Sequence, residues 1–408
     1  MSLLDIISDQ GRWILFYDRR VEQGHLCRGE EYDLYQFIRK GGYQPLLDSI
    51  KNGVPFSHPH KKMVAKGHTG KKRTVYTFGK EENHILKLIT YLMIRKYDHL
   101  FQPNLYSFRA GHSVSEAIKK ITSNRDIKQY YSYKVDISNY FNSINVDKLI
   151  DMLGDILVDD KVLQRFLSDM LRNPYAIENG KKISEPKGAM AGTPTAVFFA
   201  NLYLNGLDKK FADCKTMYFR YSDDIIIFAK SMEEIECGRE IILDHIKEMG
   251  LSVNPEKETF SQPGESWSFL GFEYENGEIN ISSISIGKIK AKMRRKARAL
   301  LRWKKAKGKT GAMAAKGFIK AFNRKFYDTD NAHEMNWSRW YFPTITTDKG
   351  LKEIDQYMQA CIRHIITGKH TKANYNLRYE QMKELGYVSL VNNWYKGRKE
   401  KNANTVTA

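Results

Sequence analysis

The sequence predicts an α+β protein, and the distribution of local patterns along the chain is the main reason. Segments rich in β-prone residues alternate with segments of helical periodicity between about residues 61 and 283. The flanking segments, 1–60 and 284–400, are mostly helical in pattern, and residues 401–408 are predicted to be a disordered tail. With 408 residues, 42% of them hydrophobic and 12% aromatic, the chain can bury a large core, which excludes wholesale disorder.

The elements of the middle segment follow one another in a clear order. β-branched and aromatic residues mark the strands, and apolar residues three and four positions apart mark the helices. The predicted strands are KRTVYTF, YYSYKVDI and the pair within MYFRYSDDIIIF, and the predicted helices are EENHILKLITYLMIRKYDHLF, 194–207 and 233–249. The first 60 residues are aromatic and mixed in charge, and they indicate no particular chemistry.

Several classes of protein are excluded by what the sequence lacks. Uninterrupted apolar runs such as 225–229 are far shorter than the ~18 residues that cross a bilayer, and no secretory signal opens the chain. We found no internal repeat. Cys27, Cys214, Cys237 and Cys361 are too far apart for a CxxC zinc pattern or a dense disulfide framework. A soluble protein in a reducing, cytoplasmic setting is therefore expected.

The charge balance points to a polyanionic partner. Lys and Arg number 66 against 47 Asp and Glu, for a net charge of +19. Residues 288–325 contain 16 basic residues and no acidic one. Within this segment, Ile289, Met293, Ala297 and Leu300 recur at helical spacing, which predicts a basic amphipathic helix, a turn at 307–311 and a second helix. Phosphate contact is favoured over a membrane-surface helix, and a merely soluble basic protein is the remaining alternative.

The candidate chemistry lies in the middle segment. Ser222, Asp223 and Asp224 separate two β-prone runs, which predicts adjacent carboxylates at the tip of a hairpin. Asp136 ends another β-prone run, so three carboxylates meet if the strands are neighbours. Oxygen ligands of this kind suit Mg²⁺, and two such ions support phosphoryl transfer. An ordinary Asp-Asp turn is the alternative for this motif taken alone.

The order of segments from about 66 to 274 resembles the reverse transcriptases, in particular the bacterial ones related to group II introns and retrons. The YSDD motif ending at Asp224, and Asp136 followed by Phe141, are similar to the catalytic motifs of that family. The other similar blocks are LYSFRAGHSVSEAI, AGTPTAVFFANLYLNGLD, GLSVNPEKETF and FLGFEY. The resemblance implies a right-hand polymerase with fingers and palm (61–283), the palm built on an antiparallel sheet, followed by a basic helical thumb (284–400).

The resemblance also implies an activity and a set of residues. The activity is RNA-directed DNA synthesis with two Mg²⁺ ions, with Mn²⁺ as a substitute, on dNTPs and an RNA template. The implied catalytic residues are Asp136, Asp223 and Asp224, and the implied metal ligands are these three with Ile137. The implied nucleotide-binding residues are Lys66, Arg73, Phe141, Gly192 and Lys257. The implied nucleic-acid-binding residues are Arg109, Lys292, Arg295, Arg298, Arg302, Lys304 and Lys305.

Individual roles follow from the same resemblance. Arg73, with Lys66 second, would clamp the triphosphate. Phe141 would press on the sugar and clash with a ribose 2′-hydroxyl. Gly192 would let the backbone approach the nucleotide, and Lys257 would protonate the departing pyrophosphate. An ordinary core Phe, a solvated basic loop and a surface Lys are the structural alternatives for these positions.

Three positions depart from the family pattern. Ala191 replaces a Gln and Ala196 replaces a Ser, which affects the expected contact with the incoming base, and Ser107 replaces a Gly. No Cys pairs or His-rich nuclease block follow the thumb, so intron mobility is less favoured. A stand-alone enzyme copying a structured noncoding RNA in antiphage defence is the preferred setting. A maturase-like RNA-binding protein and an RNA-copying or untemplated polymerase remain the alternatives.

Overall fold

A computed structural model describes residues 2–24, 26–65, 72–327, 336–369 and 376–406. The chain divides into two compact units, Met1–Glu265 and Ser266–Ala408. This division falls before the last sheet of the chain, whereas the sequence analysis placed that segment with the palm. The domain boundaries drawn from the sequence stay a prediction.

The helices of the first unit begin with an N-terminal group and continue between the strands. They are α1 (Leu3–Ser8), α2 (Gln10–Glu22), α3 (Arg28–Arg39), α4 (Tyr43–Lys51), α5 (Lys80–Lys96), α6 (Val114–Thr122), α7 (Tyr140–Ser143), α8 (Val146–Ile156), α9 (Lys161–Arg172), α10 (Ala196–Tyr203), α11 (Asn205–Lys210) and α12 (Met232–Glu248). The predicted helix 194–207 is divided at Leu204 into α10 and α11.

The strands of the chain form small sheets. They are β1 (His60–Ala65), β2 (Lys72–Thr77), β3 (Tyr131–Asp136), β4 (Tyr175–Glu178), β5 (Lys181–Ser184), β6 (Met217–Tyr221), β7 (Asp224–Ala229), β8 (Thr259–Ser261), β9 (Trp267–Phe269), β10 (Phe272–Glu275) and β11 (Glu278–Ile281). All of the strands predicted from the sequence are therefore present.

The central sheet of the first unit has the strand order β6-β7-β3-β8, and its neighbours are antiparallel. Residues 225–229 of β7 are all buried, because helices cover the strand. A second sheet has the order β2-β1-β4-β5. Within the described residues, its neighbouring strands are antiparallel except for β1 and β4, which pair in parallel. The central sheet thus provides a rigid base from which the ends of β3 and β7 project polar side chains.

The N-terminal helices are anchored to the same core. Trp13 is fully buried, stacks on Tyr43 with ring centroids 5.2 Å apart, and donates a hydrogen bond to the Ile7 carbonyl at 2.8 Å. The carboxylate of buried Asp160 accepts hydrogen bonds from the Leu3 amide at 2.6 Å and the Ser2 hydroxyl at 2.8 Å. These contacts fix the start of the chain against α9.

The second unit begins with the antiparallel sheet β11-β10-β9 and is otherwise helical. Its helices are α13 (Ser283–Ala306), α14 (Gly311–Tyr327), α15 (Trp337–Tyr341), α16 (Lys349–Thr367), α17 (Tyr379–Glu384) and α18 (Leu390–Val406). The predicted basic helix, turn and second helix are confirmed, with Ile289, Met293 and Ala297 buried. None of the described helices combines the length and apolarity needed to cross a membrane.

A buried carboxylate organises the end of the second unit. Asp355 of α16 accepts hydrogen bonds from the Tyr387 hydroxyl at 2.9 Å, the Ser389 hydroxyl at 2.7 Å and the Leu390 amide at 3.0 Å. Asp355 therefore caps the start of α18. The backbone of α18 is helical through Val406, where the sequence predicted a disordered tail from residue 401. No glycine or proline interrupts residues 398–406, so nothing local ends the helix earlier.

Candidate active site

Three carboxylates converge at one end of the central sheet. Asp136 ends β3 and lies directly across from Asp224, the first residue of β7, while Asp223 lies in the turn before β7. One carboxylate oxygen from each of the three residues lies within 4.8 Å of the others. The antiparallel pairing of β3 with β7 is what joins residues so distant in sequence. The structure thus brings the predicted catalytic residues together, and their catalytic role stays a prediction.

The hairpin that carries two of these carboxylates has a tight turn. Tyr221 pairs with Asp224, which leaves Ser222 and Asp223 as a two-residue loop. Ser222 has a φ of 59°, a left-handed conformation that costs a residue with a Cβ roughly 1 kcal/mol. Its amide donates to the Ser107 hydroxyl at 3.0 Å, and its carbonyl accepts from the Arg220 guanidinium at 3.2 Å. These two bonds hold the turn in its strained shape.

A buried ion pair lies beneath the hairpin. The guanidinium of Arg220 donates to the carboxylate of Asp208 through Nε at 2.7 Å and through a terminal nitrogen at 2.5 Å, and both side chains are fully buried. Tyr218 donates to the same carboxylate at 2.8 Å. Burial alone would lower the pKa of Arg220, but the Asp208 carboxylate raises it above its usual value. The hairpin therefore rests on a buried, bidentate ion pair.

Ser107 connects the hairpin to α10. Its hydroxyl donates to the Asn201 side chain at 2.8 Å, and the Asn201 amide donates back to the Ser107 carbonyl at 2.7 Å. A glycine, which the family pattern has at this position, offers no hydroxyl to the Ser222 amide. Ser107 is therefore a departure from the pattern that adds a contact to the site.

Asp224 is a carboxylate of the cluster whose pKa is raised. Burial raises the pKa of Asp224 to about 7, and the carboxylates of Asp223 and Asp136 add to this shift, against the opposing charges of Lys134 and Lys257. Lys257 Nζ lies 2.5 Å from Asp136 Oδ2, and its side chain is 44% exposed. Lys257, which the resemblance assigned to the nucleotide side of the site, therefore pairs with a carboxylate of the cluster, a contact that the sequence did not predict.

The donor set fits a hard divalent cation. All three donors are carboxylates, which Mg²⁺ and Mn²⁺ prefer over softer ligands. Burial, followed by the charges of the two neighbouring carboxylates, raises the pKa of Asp224, and a divalent cation would relieve the repulsion among the three. Ile137, which the sequence added to the metal ligands, is buried, and its amide donates to the Asp223 carbonyl at 3.2 Å. Its carbonyl stays a predicted ligand.

The predicted nucleotide side of the site is built from close backbone contacts. Phe141 lies in α7, just after β3, and its carbonyl accepts from the Ala189 amide at 2.8 Å. Gly188 has a φ of 53°, and a Cβ there would lie 2.5 Å from the Phe141 oxygen. Gly192 has a φ of 99°, and a Cβ there would lie 3.1 Å from atoms of Val75 and Tyr76. Only glycine allows either approach.

Asn142 links this loop to the strand that carries Arg73. Its side chain donates to the Thr74 carbonyl at 3.2 Å and accepts from the Ala191 amide at 3.0 Å. Arg73 is exposed on β2, next to Thr74. Asn142 could not be singled out from the sequence, because the residue type of an amide side chain does not reveal which remote backbone groups it will bond. Lys66 lies outside the described residues.

The predicted nucleic-acid contacts differ in exposure. Arg109 is tied to the fold, because its guanidinium bonds to Asp98 at 2.8 Å and to the Gln102 carbonyl at 2.7 Å. On α13, Lys304 is partly buried and donates to the Ile365 carbonyl at 2.9 Å, which caps α16. The remaining predicted residues of that helix are exposed: Lys292, Arg295, Arg298, Arg302 and Lys305. All seven stay predictions as nucleic-acid contacts.

Comparison with known families decides the classification. The family model described as Reverse transcriptase (RNA-dependent DNA polymerase) matches residues 60–274, more than half of the chain. The chain belongs to the reverse transcriptase family. This match spans the three carboxylates, and it confirms the right-hand polymerase fold class that the sequence predicted.

Curated relatives of this reverse transcriptase-family chain come from bacteria and fungi. It is 24% identical to the "Retron Ec86 reverse transcriptase" of Escherichia coli, over 39% of this chain and 47% of that protein. It is 23% identical to an "Uncharacterized 91 kDa protein in cob intron" of Schizosaccharomyces pombe, over 52% of this chain and 26% of that protein. The chain thus spans at most about half of either relative, and these relatives do not single out a bacterial subtype.

Among solved structures, the chain is similar to apo telomerase from Candida tropicalis. The TM-score is 0.48 at 12% identity, and the similarity covers 76% of this chain and 57% of that one. At this level the similarity does not bear on substrate or partner.

Proposed function

We propose that the chain is an RNA-directed DNA polymerase that joins dNTPs to a primer on an RNA template with two Mg²⁺ ions. The convergence of Asp136, Asp223 and Asp224 within 4.8 Å is the observation that carries the proposal. Membership of the reverse transcriptase family supports the same activity.

In this proposal Asp136 and Asp223 hold both ions, and Asp224 adjusts the geometry and the local field. The ions, when bound, activate the attacking 3′-hydroxyl and stabilise the leaving oxygen. Lys257 lies close enough to Asp136 to face the triphosphate, where its ammonium would donate a proton to the departing pyrophosphate. Arg73 on exposed β2 would bind the triphosphate oxygens.

Phe141 is the proposed sugar gate. The ring is partly buried, and its backbone is held by Ala189 and by the close approach of Gly188. Because these contacts hold the backbone of Phe141 in place, a ring positioned beneath the sugar would clash with a ribose 2′-hydroxyl. The expected result is selection of dNTPs over rNTPs.

The proposal extends to the setting of the enzyme. The template would be a structured noncoding RNA, the product a cDNA and the role antiphage defence in the bacterial cytoplasm, with 284–400 acting as the thumb. The basic exposed face of α13 and the resemblance of the sequence motifs to retron-type enzymes support this setting. Sequencing of the nucleic acid that copurifies with the protein tests it directly.

The central experiment removes two of the carboxylates. Asp223→Ala combined with Asp224→Ala is expected to abolish dNTP incorporation on a primed RNA template, because the metal ligands are lost, while RNA binding stays within a few-fold. The matched control is Asp159→Ala with Asp213→Ala, which removes two exposed carboxylates from the same unit and should leave synthesis unchanged. Synthesis retained by the first variant would refute the assignment.

The same assay separates the alternatives. A maturase-like protein would bind the primed template without incorporating any nucleotide. An RNA-copying enzyme would prefer rNTPs, and an untemplated one would extend a primer without template. Preference for rNTPs would also contradict the proposed role of Phe141.

A further inference from the structure

A basic cavity lies in the first unit, apart from the carboxylate cluster. It has a volume of about 450 Å³ and is lined by α2, α5, the Phe108–Gly111 loop and Pro194. A cavity of this size matches one nucleotide unit of a chain rather than a whole folded partner. Parts of two motif blocks line the cavity, at 108–111 and at Pro194, but the proposed chemistry gives no role to the cations that α2 and α5 contribute.

Cations from two helices line the cavity. Arg19 and Arg20 come from the last turn of α2, and Lys87 and Arg95 come from α5. Lys87, Tyr91 and Arg95 are four residues apart and therefore share one face of α5. Among the described lining residues none is acidic. The cavity wall is thus strongly positive.

Two of the guanidinium groups are held in position by an aromatic ring. Arg95 lies over the ring of Tyr91, 3.5 Å from its centroid. Arg19 donates to the Tyr91 hydroxyl at 3.4 Å. Because the ring fixes both groups, they lose less conformational entropy when they bind an anion.

The fold alone does not neutralise this charge. Burial lowers the pKa of Lys87, and the nearby charge of Arg20 lowers it further. Burial also lowers the pKa of Arg95; Tyr91 opposes this shift, and the charge of Arg19 adds to it. The nearby carboxylate is Glu30, whose pKa falls because hydrogen bonds from Cys27 and the charges of Lys87 and Arg20 outweigh its burial. Arg109 also lines the cavity, and it pairs with Asp98 at 2.8 Å. The five lining cations outnumber these two carboxylates, and an anion would balance the difference.

One lining residue of the cavity, Phe108, lies near the hairpin that carries Asp223 and Asp224. Phe108 is 38% exposed and has a φ of 57°, which is unusual for a bulky residue. Its ring lies 6.0 Å from that of Tyr221, the residue before the hairpin turn. An exposed aromatic ring beside fixed cations is the combination that single-stranded nucleic acids bind, through stacked bases and backbone phosphates.

We propose that this cavity binds a backbone phosphate of single-stranded nucleic acid through Arg19, Arg20, Lys87 and Arg95, with a base against Phe108. The α2 cations lie outside the segment that matches the reverse transcriptase family, so they are a feature of this chain's N-terminal helices. The proposed binding site rests on the proposed function, to which it adds a second point of contact for the single strand. Binding at this site does not require catalysis.

The test measures binding of a fluorescent oligouridylate of about 12 nucleotides to the full chain in EDTA, by anisotropy at several salt concentrations. Arg19→Gln with Arg95→Gln should weaken binding roughly tenfold and reduce the salt slope by about 1.4, because two phosphate contacts are lost. The matched control is Lys119→Gln with Lys120→Gln on α6, which removes two exposed cations and should change the dissociation constant less than about twofold. Equal losses in both variants would overturn the proposal.

Further measurements distinguish loss of the site from unfolding, from binding of free phosphates and from loss of catalysis. If the double variant unfolds at a lower temperature, Arg19→Gln alone carries the test, because that side chain is exposed. Displacement of the oligouridylate by equimolar ATP or inorganic phosphate would show a site for free phosphates and contradict the proposal. Asp223→Ala with Asp224→Ala should bind the oligouridylate normally, so failure of the proposed catalysis and failure of this site are distinguishable.

Discussion

Asp224 shows, at the scale of a residue, how the site stores electrostatic free energy. Its pKa is about 7, against an ordinary value of 3.8, because it is buried beside two other carboxylates. The folded state therefore binds a proton more tightly than the unfolded state does. Its contribution to stability is fully present below pH 3.8 and is lost as the pH rises through 7.

Asp224→Asn should consequently stabilise the metal-free protein at alkaline pH. We expect the gain in unfolding free energy to be small near pH 4 and to grow to at most ~4 kcal/mol at pH 8, since each pKa unit corresponds to about 1.4 kcal/mol. Thermal unfolding in EDTA at both pH values measures it. Asp159→Asn, at an exposed carboxylate, is the control. A gain that is the same at pH 4 and pH 8 would contradict the electrostatic explanation.

At the scale of elements, the hairpin that carries Asp223 and Asp224 is expected to depend on the ion pair of Arg220 with Asp208. Arg220→Met and Asp208→Leu should each destabilise the protein by about 3–5 kcal/mol, because each leaves a buried charge without its partner. The double variant should cost clearly less than the sum of the two. Urea unfolding of the three variants measures the difference.

An exposed pair provides the comparison for this prediction. Arg172 and Asp147 lie 3.5 Å apart, with side chains 59% and 80% exposed. Arg172→Met should change stability by less than about 1 kcal/mol, since exposed pairs contribute little. If the two single variants at the buried pair were equally mild, the hairpin would not depend on that pair.

The same elements show what a sequence can and cannot predict. The gathering of Asp136 with Asp223 and Asp224 was predictable in two steps: β-prone runs and a turn motif place the carboxylates at strand ends, and the resemblance to reverse transcriptases implied that the strands are neighbours. The contacts of Arg220 with Asp208 and of Ser107 with Asn201 were not, since the type of a polar residue does not identify a partner that is remote along the chain. The cavity cations were missed for the same reason: α2 and α5 each show ordinary charged residues.

At the scale of the whole molecule, the net charge of +19 raises the question of whether the proposed binding of nucleic acid depends on total charge or on the basic helix α13. Arg295→Gln with Arg298→Gln and Arg302→Gln, all on the exposed face of α13, should reduce the salt slope for a primed RNA template by roughly 2–3, because each contact releases counterions. Filter binding at graded salt measures this slope.

A charge-matched variant controls for net charge. Lys119→Gln with Lys120→Gln and Lys209→Gln removes the same number of exposed cations from the first unit. An equal change in slope would mean that binding follows total charge rather than the basic helix. An unchanged slope in the α13 variant would defeat the proposed thumb contact.

The close approach of Gly188 to Phe141 has a consequence for redesign. A Cβ at 188 would lie only 2.5 Å from the Phe141 oxygen, so any substitution there must push the main chain of residue 141 aside. If Phe141 acts as the proposed sugar gate, that shift would move its ring relative to the sugar. Both trimming of the ring at 141 and replacement of Gly188 are therefore expected to alter the choice between deoxyribose and ribose.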